Sequence, residues 1–195
     1  MTGKPFTILV VCTGNVCRSP LADQMLTNAV QKYLPADVAA NVVVGSAGTE
    51  APVGAPMSAP AAAISAKQGL DPAGHQARQL TIELLREADL TLVATRQHRQ
   101  DVARMLPRSA RTLFTIREFG RGAEALLAEP REPVTSADDL RAVVAKMAGR
   151  RGYLPLQEPA LDDIVDPIGR SERTYKRMAD ELVPAIESAS KLLFQ

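Results

Sequence analysis

Residues 6–20, FTILVVCTGNVCRSP, join an apolar, β-branched run to a short loop of small residues and then to a Ser-Pro pair. The run is typical of a buried strand. Ser19 and Pro20 favour a helix start, with the Ser19 hydroxyl capping the helix and Pro20 at a first position where a missing N–H costs nothing. The stretch therefore predicts strand, loop and helix, with the loop at the positive end of the helix dipole.

We call residues 12–18 the phosphate loop, because inward backbone N–H groups at a helix N-terminus bind a tetrahedral oxyanion. The same field stabilises a thiolate, so Cys12 is expected to be a nucleophile. Arg18 supplies a planar fork for two phosphate oxygens. Gly14 and Asn15 tolerate the left-handed backbone that such a cradle needs. The predicted anion ligands are Thr13, Gly14, Asn15, Val16, Cys17 and Arg18.

The spacing Cys-x5-Arg is weak by itself, and its context makes it specific. An apolar strand precedes the loop, Gly-Asn lies inside it and Ser-Pro follows it. The alternative, two buried structural cysteines at a strand end, explains none of these neighbours. We therefore favour a phosphate site.

The loop Cys-Thr-Gly-Asn-Val-Cys-Arg-Ser, residues 12–19, resembles the low-molecular-weight protein tyrosine phosphatases and their arsenate reductase relatives. The resemblance implies that Cys12 is the nucleophile and Arg18 the phosphate clamp. It assigns Asn15 and Ser19 to holding the loop and hydrogen bonding toward the thiolate. It also implies a four-stranded parallel sheet of order 2-1-3-4.

Two further residues enter through this resemblance. Ser46 follows the second predicted strand and is by itself a turn residue, which the family assigns to the hydrogen-bond network behind the loop. His75 belongs to a family-like His-x-Ala-Arg-Gln pattern. A lone histidine is more often structural than catalytic, so His75 is expected to support the loop rather than to touch substrate.

Composition narrows the function. The 195 residues fit one domain, 1–195, and the net charge of +1 gives no reason to expect nucleic acid or a membrane surface as partner. Both cysteines lie in one loop, which fits neither a disulfide framework nor paired zinc ligands. With no leader or spanning segment, the protein is expected to be cytoplasmic and to need no metal or organic cofactor.

Strand and helix signals alternate along the chain, which predicts an α/β fold with helices on both faces of a parallel sheet. Predicted strands after the first cover 41–45, 88–94 and 111–115. Predicted helices cover 19–34, 58–69, a short segment capped by Thr81, and 96–106. Seven arginines between Arg96 and Arg121 could attract an acidic substrate, but a solvated surface is the favoured interpretation, and His98 on that surface is assigned no chemistry.

Residues 120–160 are interpreted as a helical insertion within the domain, absent from compact relatives. One helix is expected after Ser136, with Leu140, Val143, Val144 and Met147 on one face. The end at 150–152 and the Pro-rich loop after it are expected to form a mobile flap rather than a second domain.

The Asp166-Pro167-Ile168-Gly169 stretch precedes a long amphipathic helix, expected over 171–193. Asp-Pro is often only a turn. When a phosphate ester is cleaved, however, the leaving phenolate or alkoxide oxygen needs a proton, and the phosphate loop contains no acid. The family resemblance assigns Asp166 as the general acid and base. Relatives that act on phosphotyrosine often carry aromatic residues after Asp-Pro, whereas Ile168 and Gly169 stand here.

The predicted reaction is phosphomonoester hydrolysis through a phosphocysteine, with a phosphotyrosine protein or a small aryl phosphate as substrate. Cys17, the other thiol, is a candidate redox partner that captures oxidised Cys12 as a disulfide, and the alternative is that Cys17 is an inert packing residue. One alternative is arsenate reduction with a small-molecule thiol, because arsenate fits a phosphate cradle. A second is a catalytically idle phosphoprotein-binding module, which the joint presence of Cys12, Arg18 and Asp166 disfavours.

Overall fold

The computed structural model describes residues 4–151 and 158–195, and within them it has the predicted α/β fold. The strands are β1 (Phe6–Cys12), β2 (Val42–Gly48), β3 (Leu90–Val93) and β4 (Leu113–Thr115). The helices are α1 (Arg18–Tyr33), α2 (Ala36–Ala39), α3 (Ala59–Lys67), α4 (Ile82–Glu87), α5 (Arg96–Met105), α6 (Ile116–Leu127), α7 (Ala137–Arg150) and α8 (Glu172–Phe194). Short 3-10 turns cover Pro107–Arg111 and Pro159–Asp162.

The strands form a parallel sheet in the order β2-β1-β3-β4, which confirms the predicted order. Strand β1 is central: Cys12 lies opposite Gly48 of β2, and Val11 lies opposite Val93 of β3. The carboxyl ends of these three strands therefore meet at one edge of the sheet. In open α/β sheets this edge is where ligand-binding groups gather.

Helices cover both faces of the sheet. Phe6, Ile8 and Val10 of β1 pack into the larger apolar core with residues of α1, α6, α7 and α8. Leu9 and Val11 point to the other face and pack into a smaller cluster with residues of α4 and α5. This alternation is the two-residue period of a strand buried on both sides.

Helix α8 matches its prediction closely, since it needs only the apolar stripe that the sequence shows. All six side chains expected to face inward are buried: Tyr175, Met178, Leu182, Ile186, Ala189 and Leu193. Helix α7 begins after Ser136, whose hydroxyl accepts a hydrogen bond from the Asp139 N–H. Its Leu140, Val144 and Met147 are buried in the larger core, and Val143 is partly buried against it.

The expectation of one helix over 120–160 is wrong within the described residues. Helix α6 begins at Ile116, runs into this range and precedes α7. Its start is a capping box between Thr115 and Glu118, and Thr-x-x-Glu is a signal visible in the sequence. The expected flap falls mainly on residues 152–157, which lie outside the described residues. Among the described helices, none has the length and apolarity to cross a bilayer.

Candidate active site

The phosphate loop joins β1 to α1 at the carboxyl edge of the sheet. The prediction that Ser19 caps α1 is wrong, because the helix begins at Arg18 and Cys17 occupies the cap position. The Ser19 Oγ instead lies 3.0 Å from Cys12 Sγ and accepts a hydrogen bond from Asn15 Nδ2 at 2.9 Å. Since Ser19 is fully buried, its hydroxyl is available to the thiol and not to solvent.

Asn15 fixes the course of the loop. Its φ of 52° is left-handed, as expected, whereas the same expectation for Gly14 is wrong because Gly14 is not among the positive-φ glycines. The buried Asn15 side chain accepts a hydrogen bond from the Arg78 N–H at 2.9 Å. The backbone carbonyl oxygen of Asn15 lies 2.7 Å from Nε2 of His75. His75 therefore contacts the loop backbone directly.

The end of β2 closes against the back of the loop. The Thr49 and Glu50 N–H groups each donate at 2.9 Å, to the carbonyls of Cys12 and Thr13 respectively. A side chain at Gly48 would clash with backbone, its Cβ touching the Thr13 carbonyl and lying 2.9 Å from the Asn15 nitrogen. Gly48 is thus required by close backbone approach, a role that no sequence pattern indicated.

Ser46 lies one step further from the loop than expected. Its hydroxyl donates to Asp23 of α1 at 2.8 Å rather than to a loop residue. Its carbonyl accepts a hydrogen bond from Arg78 Nε at 2.5 Å, and Arg78 in turn holds Asn15. Burial raises the pKa of the Asp23 carboxyl, and the hydrogen bond from the Ser46 hydroxyl partly offsets this rise. Ser46 thus reaches the loop only through Arg78.

Arg18 lies beneath the loop and is 3% exposed. Its Nη1 donates to the Ile164 carbonyl at 3.2 Å, and its Nη2 donates to Thr13 Oγ1 at 3.2 Å. Within the described residues its buried Nε has no hydrogen-bond partner. A buried charged donor without a partner is costly, and an oxyanion in the loop would satisfy it.

Asp166 meets the loop at the Arg18 guanidinium, with Oδ2 2.5 Å from Nη2. Its side chain is 47% exposed, and its other oxygen accepts a hydrogen bond from the Ile168 N–H at 3.2 Å. Upstream, the Ile164 N–H donates to the Ala94 carbonyl at the end of β3. The fold therefore brings together the predicted nucleophile loop, its arginine and the predicted acid.

Three of the seven arginines hold the segment before Asp166, so interpreting all of them as a solvated surface is wrong. The Arg96 N–H donates to Asp163 Oδ1 at 2.7 Å, and Arg117 Nη1 donates to the Asp163 carbonyl at 3.1 Å. Arg121 forms an ion pair with Asp162. The available signal was the adjacent acidic pair 162–163, whose carboxylates form ion pairs with the Arg96 and Arg121 side chains.

His98 is the functional-site residue that the sequence reasoning missed. It is 6% exposed, and its Nε2 lies 3.0 Å from Thr13 Oγ1 in the phosphate loop. Its Nδ1 lies 2.6 Å from Thr95 Oγ1. Burial, and then the charge of Arg18, lower the pKa of His98 from 6.5 to about 4. The available signal was its position one turn after the carboxyl end of β3.

Cys17 is buried behind the loop. Its Sγ lies 3.0 Å from Ser58 Oγ and 4.0 Å from the Tyr175 hydroxyl. Burial raises the pKa of the Cys17 thiol. Cys12 and Cys17 are both free thiols. Cys17 is therefore the poorer nucleophile by environment, although it lies in the same loop as Cys12.

The arrangement offers a thiol nucleophile, a set of anion donors and a half-exposed acid at one strand edge. These are the three elements of phosphoryl transfer through a cysteine. In the part of the chain that the structure describes, no cluster of three or more His, Cys, Asp or Glu side chains has metal-binding geometry.

Comparison with known proteins finds one family. The family model of the low molecular weight phosphotyrosine protein phosphatases matches residues 7–154. The low molecular weight protein-tyrosine-phosphatase Etp of Escherichia coli K12 is 41% identical over 101 residues, 52% of this chain and 62% of Etp. The chain thus spans slightly less than two thirds of the length of this relative.

Two further relatives are matched over more of their length. A protein-arginine-phosphatase of Bacillus subtilis is 28% identical over 187 residues, 95% of each chain. The structure of the YwlE arginine phosphatase from Geobacillus stearothermophilus superposes with a TM-score of 0.66 at 28% identity, over 96% of this chain and 92% of that one.

Proposed function

Because the chain belongs to the low molecular weight phosphotyrosine protein phosphatase family, we propose that it hydrolyses phosphotyrosine in proteins through a phosphocysteine on Cys12. The observation that carries this proposal is the convergence on Arg18. Its guanidinium contacts both Thr13 of the phosphate loop and Asp166, and one of its buried donors is left for an anion.

In the first step the Cys12 sulfur attacks phosphorus, and the loop N–H groups and Arg18 hold the equatorial oxygens. Asp166 protonates the leaving phenolate oxygen. The ion pair between Arg18 and Asp166 has to open for this step, because a carboxylate that is paired with a guanidinium carries no proton to donate. The incoming phosphate dianion replaces the carboxylate on Arg18, and the released Asp166 takes up a proton from solvent, which it then donates to the leaving oxygen.

In the second step water attacks the phosphocysteine, with Asp166 as base, and the Cys12 thiolate leaves. The Ser19 hydroxyl, 3.0 Å from the sulfur, donates a hydrogen bond to that thiolate. Asn15 Nδ2 donates to the same hydroxyl oxygen, which turns the Ser19 proton toward sulfur. The buried pair therefore makes sulfur a better leaving group.

A second candidate substrate is protein phosphoarginine, favoured by the near full-length match to proteins named arginine phosphatases. The half-exposed Ile168 adds to it, since an aliphatic side chain offers bulk without stacking on a phenol ring. The chemistry at Cys12, Arg18 and Asp166 is the same for both leaving groups, because a guanidine nitrogen also needs a proton.

The deciding experiment measures phosphate release from two peptides of one sequence that carry either phosphotyrosine or phosphoarginine. We expect higher kcat/KM for phosphotyrosine. Preference for phosphoarginine would establish the second candidate, and turnover of neither would overturn the proposal. The comparisons name phosphatases, so the arsenate reductase alternative is not favoured.

We further propose that 1–195 is a single phosphatase domain in which 120–160 is a helical insertion. Support comes from α7, whose buried residues share the core of β1, α1 and α8. We place the protein in the cytoplasm, where a catalytic thiol stays reduced. Its proposed partners are phosphoproteins or small aryl phosphates, not nucleic acid or membranes.

For Cys17 we propose a protective redox role. Peroxide converts the Cys12 thiolate to a sulfenic acid, and the Cys17 thiol displaces water from it to form a disulfide that an added thiol reduces. The raised pKa of Cys17 keeps this thiol from being oxidised first. If Cys17→Ser recovers from peroxide with thiol as fully as the wild type, this role is wrong.

A further inference from the structure

A chain of hydrogen bonds connects the end of β3 to the anion site. Thr95, which caps α5, has its Oγ1 2.6 Å from His98 Nδ1. His98 Nε2 lies 3.0 Å from Thr13 Oγ1, and that oxygen also accepts from Arg18 Nη2 at 3.2 Å. The four residues thus link a buried imidazole to the phosphate clamp.

The surroundings of His98 favour a neutral ring. It is buried, lies in the first turn of α5 and has the Arg18 guanidinium nearby, and each of these disfavours an imidazolium. The carboxylates of Asp101, Asp163 and Asp166 act in the opposite direction, but more weakly. At neutral pH one ring nitrogen therefore donates and the other accepts.

The contacts allow two tautomers, and one of them leaves the Thr13 O–H free for an anion. In that tautomer the Thr95 oxygen accepts from the His98 backbone N–H at 3.3 Å, and the Thr95 hydroxyl donates its proton to Nδ1. Nε2 then carries the hydrogen and donates to Thr13. The Thr13 oxygen then accepts hydrogen bonds from His98 and Arg18 with its two lone pairs. Its own O–H remains as a donor.

We propose that His98 is a positioning residue for phosphoryl transfer: its Nε2–H holds Thr13 so that the Thr13 O–H donates to a phosphoryl oxygen and its oxygen steadies Arg18. This inference rests on the proposed function. It adds a side-chain donor to a cradle otherwise built from backbone N–H groups and one guanidinium. It also gives a function to a histidine that does not touch substrate.

The test uses a matched pair of variants. His98→Asn retains an amide near the Nδ1 position and loses the contact to Thr13, whereas His98→Gln extends an amide to the Nε2 position. We expect His98→Asn to weaken inorganic phosphate binding, measured by titration calorimetry, and kcat/KM for an aryl phosphate each by roughly tenfold, the value of one hydrogen bond to a charged group. His98→Gln should stay within about twofold of wild type in both.

A double-mutant cycle separates positioning from general packing. In a Thr13→Val background, His98→Asn should cause no further loss, because the hydroxyl that it orients is gone. Equal losses in His98→Asn and His98→Gln, or additive losses in the cycle, would overturn the proposal. If His98→Asn fails to fold by circular dichroism, the same cycle is run with His98→Gln, where weakened phosphate binding would overturn it. Wild-type protein that binds phosphate but hydrolyses nothing would refute the proposed function alone, since the calorimetry needs no turnover.

Discussion

The phosphate loop and the segment of residues 163–169, here the acid segment, meet at the same guanidinium and differ in how they are held. Asn15 of the loop and Ser19 of the following helix are fully buried and form a hydrogen bond with each other. In the acid segment, the Asp166 side chain is 47% exposed and Ile168 is 50% exposed. The proposed anion site is therefore fixed by folding, whereas the proposed proton donor is exposed enough to exchange partners during the reaction.

The acid segment is held at its start rather than at its catalytic residue. The Asp163 carboxylate and carbonyl receive the Arg96 N–H and Arg117, and the Val165 N–H donates to Glu181 of α8 at 2.8 Å. Beyond this point the chain turns at Gly169, with a φ of 69°. Electrostatic stabilisation of an anion needs a rigid site such as the phosphate loop. A general acid can lie on a segment that is held only at one end, such as the acid segment.

The largest effect on activity is expected from a substitution in the phosphate loop. Cys12→Ser should reduce turnover of an aryl phosphate by at least about 10⁴-fold, because an alcohol is not ionised near neutral pH. Phosphate affinity, measured by calorimetry, should persist because Arg18 and the loop donors are unchanged. If Cys12→Ser turned over the aryl phosphate at the wild-type rate, a cysteine nucleophile would be excluded.

Removing the proton donor should cost less. Asp166→Asn should slow phosphotyrosine hydrolysis by about 10²- to 10⁴-fold and affect an activated nitrophenyl ester less in the phosphorylation step, since that leaving group hardly needs a proton. Single-turnover rates over esters of graded leaving-group pKa measure this. A slope no steeper than wild type would remove Asp166 from the mechanism and direct attention to Asp162 and Asp163.

Part of the pH dependence of stability should come from His98, which contacts the phosphate loop. The pKa of His98 is about 4 in the folded protein, whereas its ordinary value is 6.5, so the unfolded chain binds the proton more readily. Stability is complete above pH 6.5 and is lost as pH falls toward 4, by up to about 3 kcal/mol. Urea unfolding at pH 7 and pH 4 should show this loss in wild type. His98→Gln, whose amide does not titrate, should show less; an equal loss would contradict the assignment.

Weakening the contacts that hold the start of the acid segment should have a modest effect on activity. Arg117→Gln removes the hydrogen bond to the Asp163 carbonyl and should lower kcat about threefold, with phosphate affinity unchanged, because a single part-buried hydrogen bond contributes about 1 kcal/mol. Arg104→Gln, which removes only a surface pair with Asp101, is the control and should leave kcat at the wild-type value. Weaker phosphate binding in Arg117→Gln would mean that the two regions are not separable.

The smallest effect is expected at the mouth of the site. Ile168→Tyr provides an aromatic surface and should raise kcat/KM for phosphotyrosine peptides a few-fold, the value of one aromatic contact of about 1 kcal/mol. The leaving-group slope should not change, since Asp166 is retained. Lower kcat/KM for phosphotyrosine with a gain for phosphoarginine would favour the second candidate substrate.

The sequence predicted most where local patterns decide the structure. The strand order, the start of α7 at Ser136 and the buried stripe of α8 depend on periodicity, capping chemistry and a family resemblance. The Thr115 capping box was equally visible and was overlooked. The helix starts and the buried stripe need few long-range contacts, so short windows of sequence encode them, whereas the strand order followed from the family resemblance.

What the sequence did not predict depends on contacts between distant residues. His98 lies 85 positions after its partner Thr13, and Gly48 is required by the backbone of a loop some 35 residues earlier. Ser19 shows the converse, because a hydroxyl that local rules assign to capping is instead used by the Cys12 thiol. Only the packed sheet edge brings these groups together.

The most direct test of the central claim is a search for the covalent intermediate. Wild-type protein and Asp166→Asn are mixed with an activated aryl phosphate, quenched in acid within one turnover and digested, and the peptide containing Cys12 is weighed by mass spectrometry. We predict one added phosphoryl group on Cys12, accumulating to a higher level in Asp166→Asn, because the base for its hydrolysis is missing. Aryl phosphate turnover with no phosphoryl group on Cys12 in either protein would contradict the account.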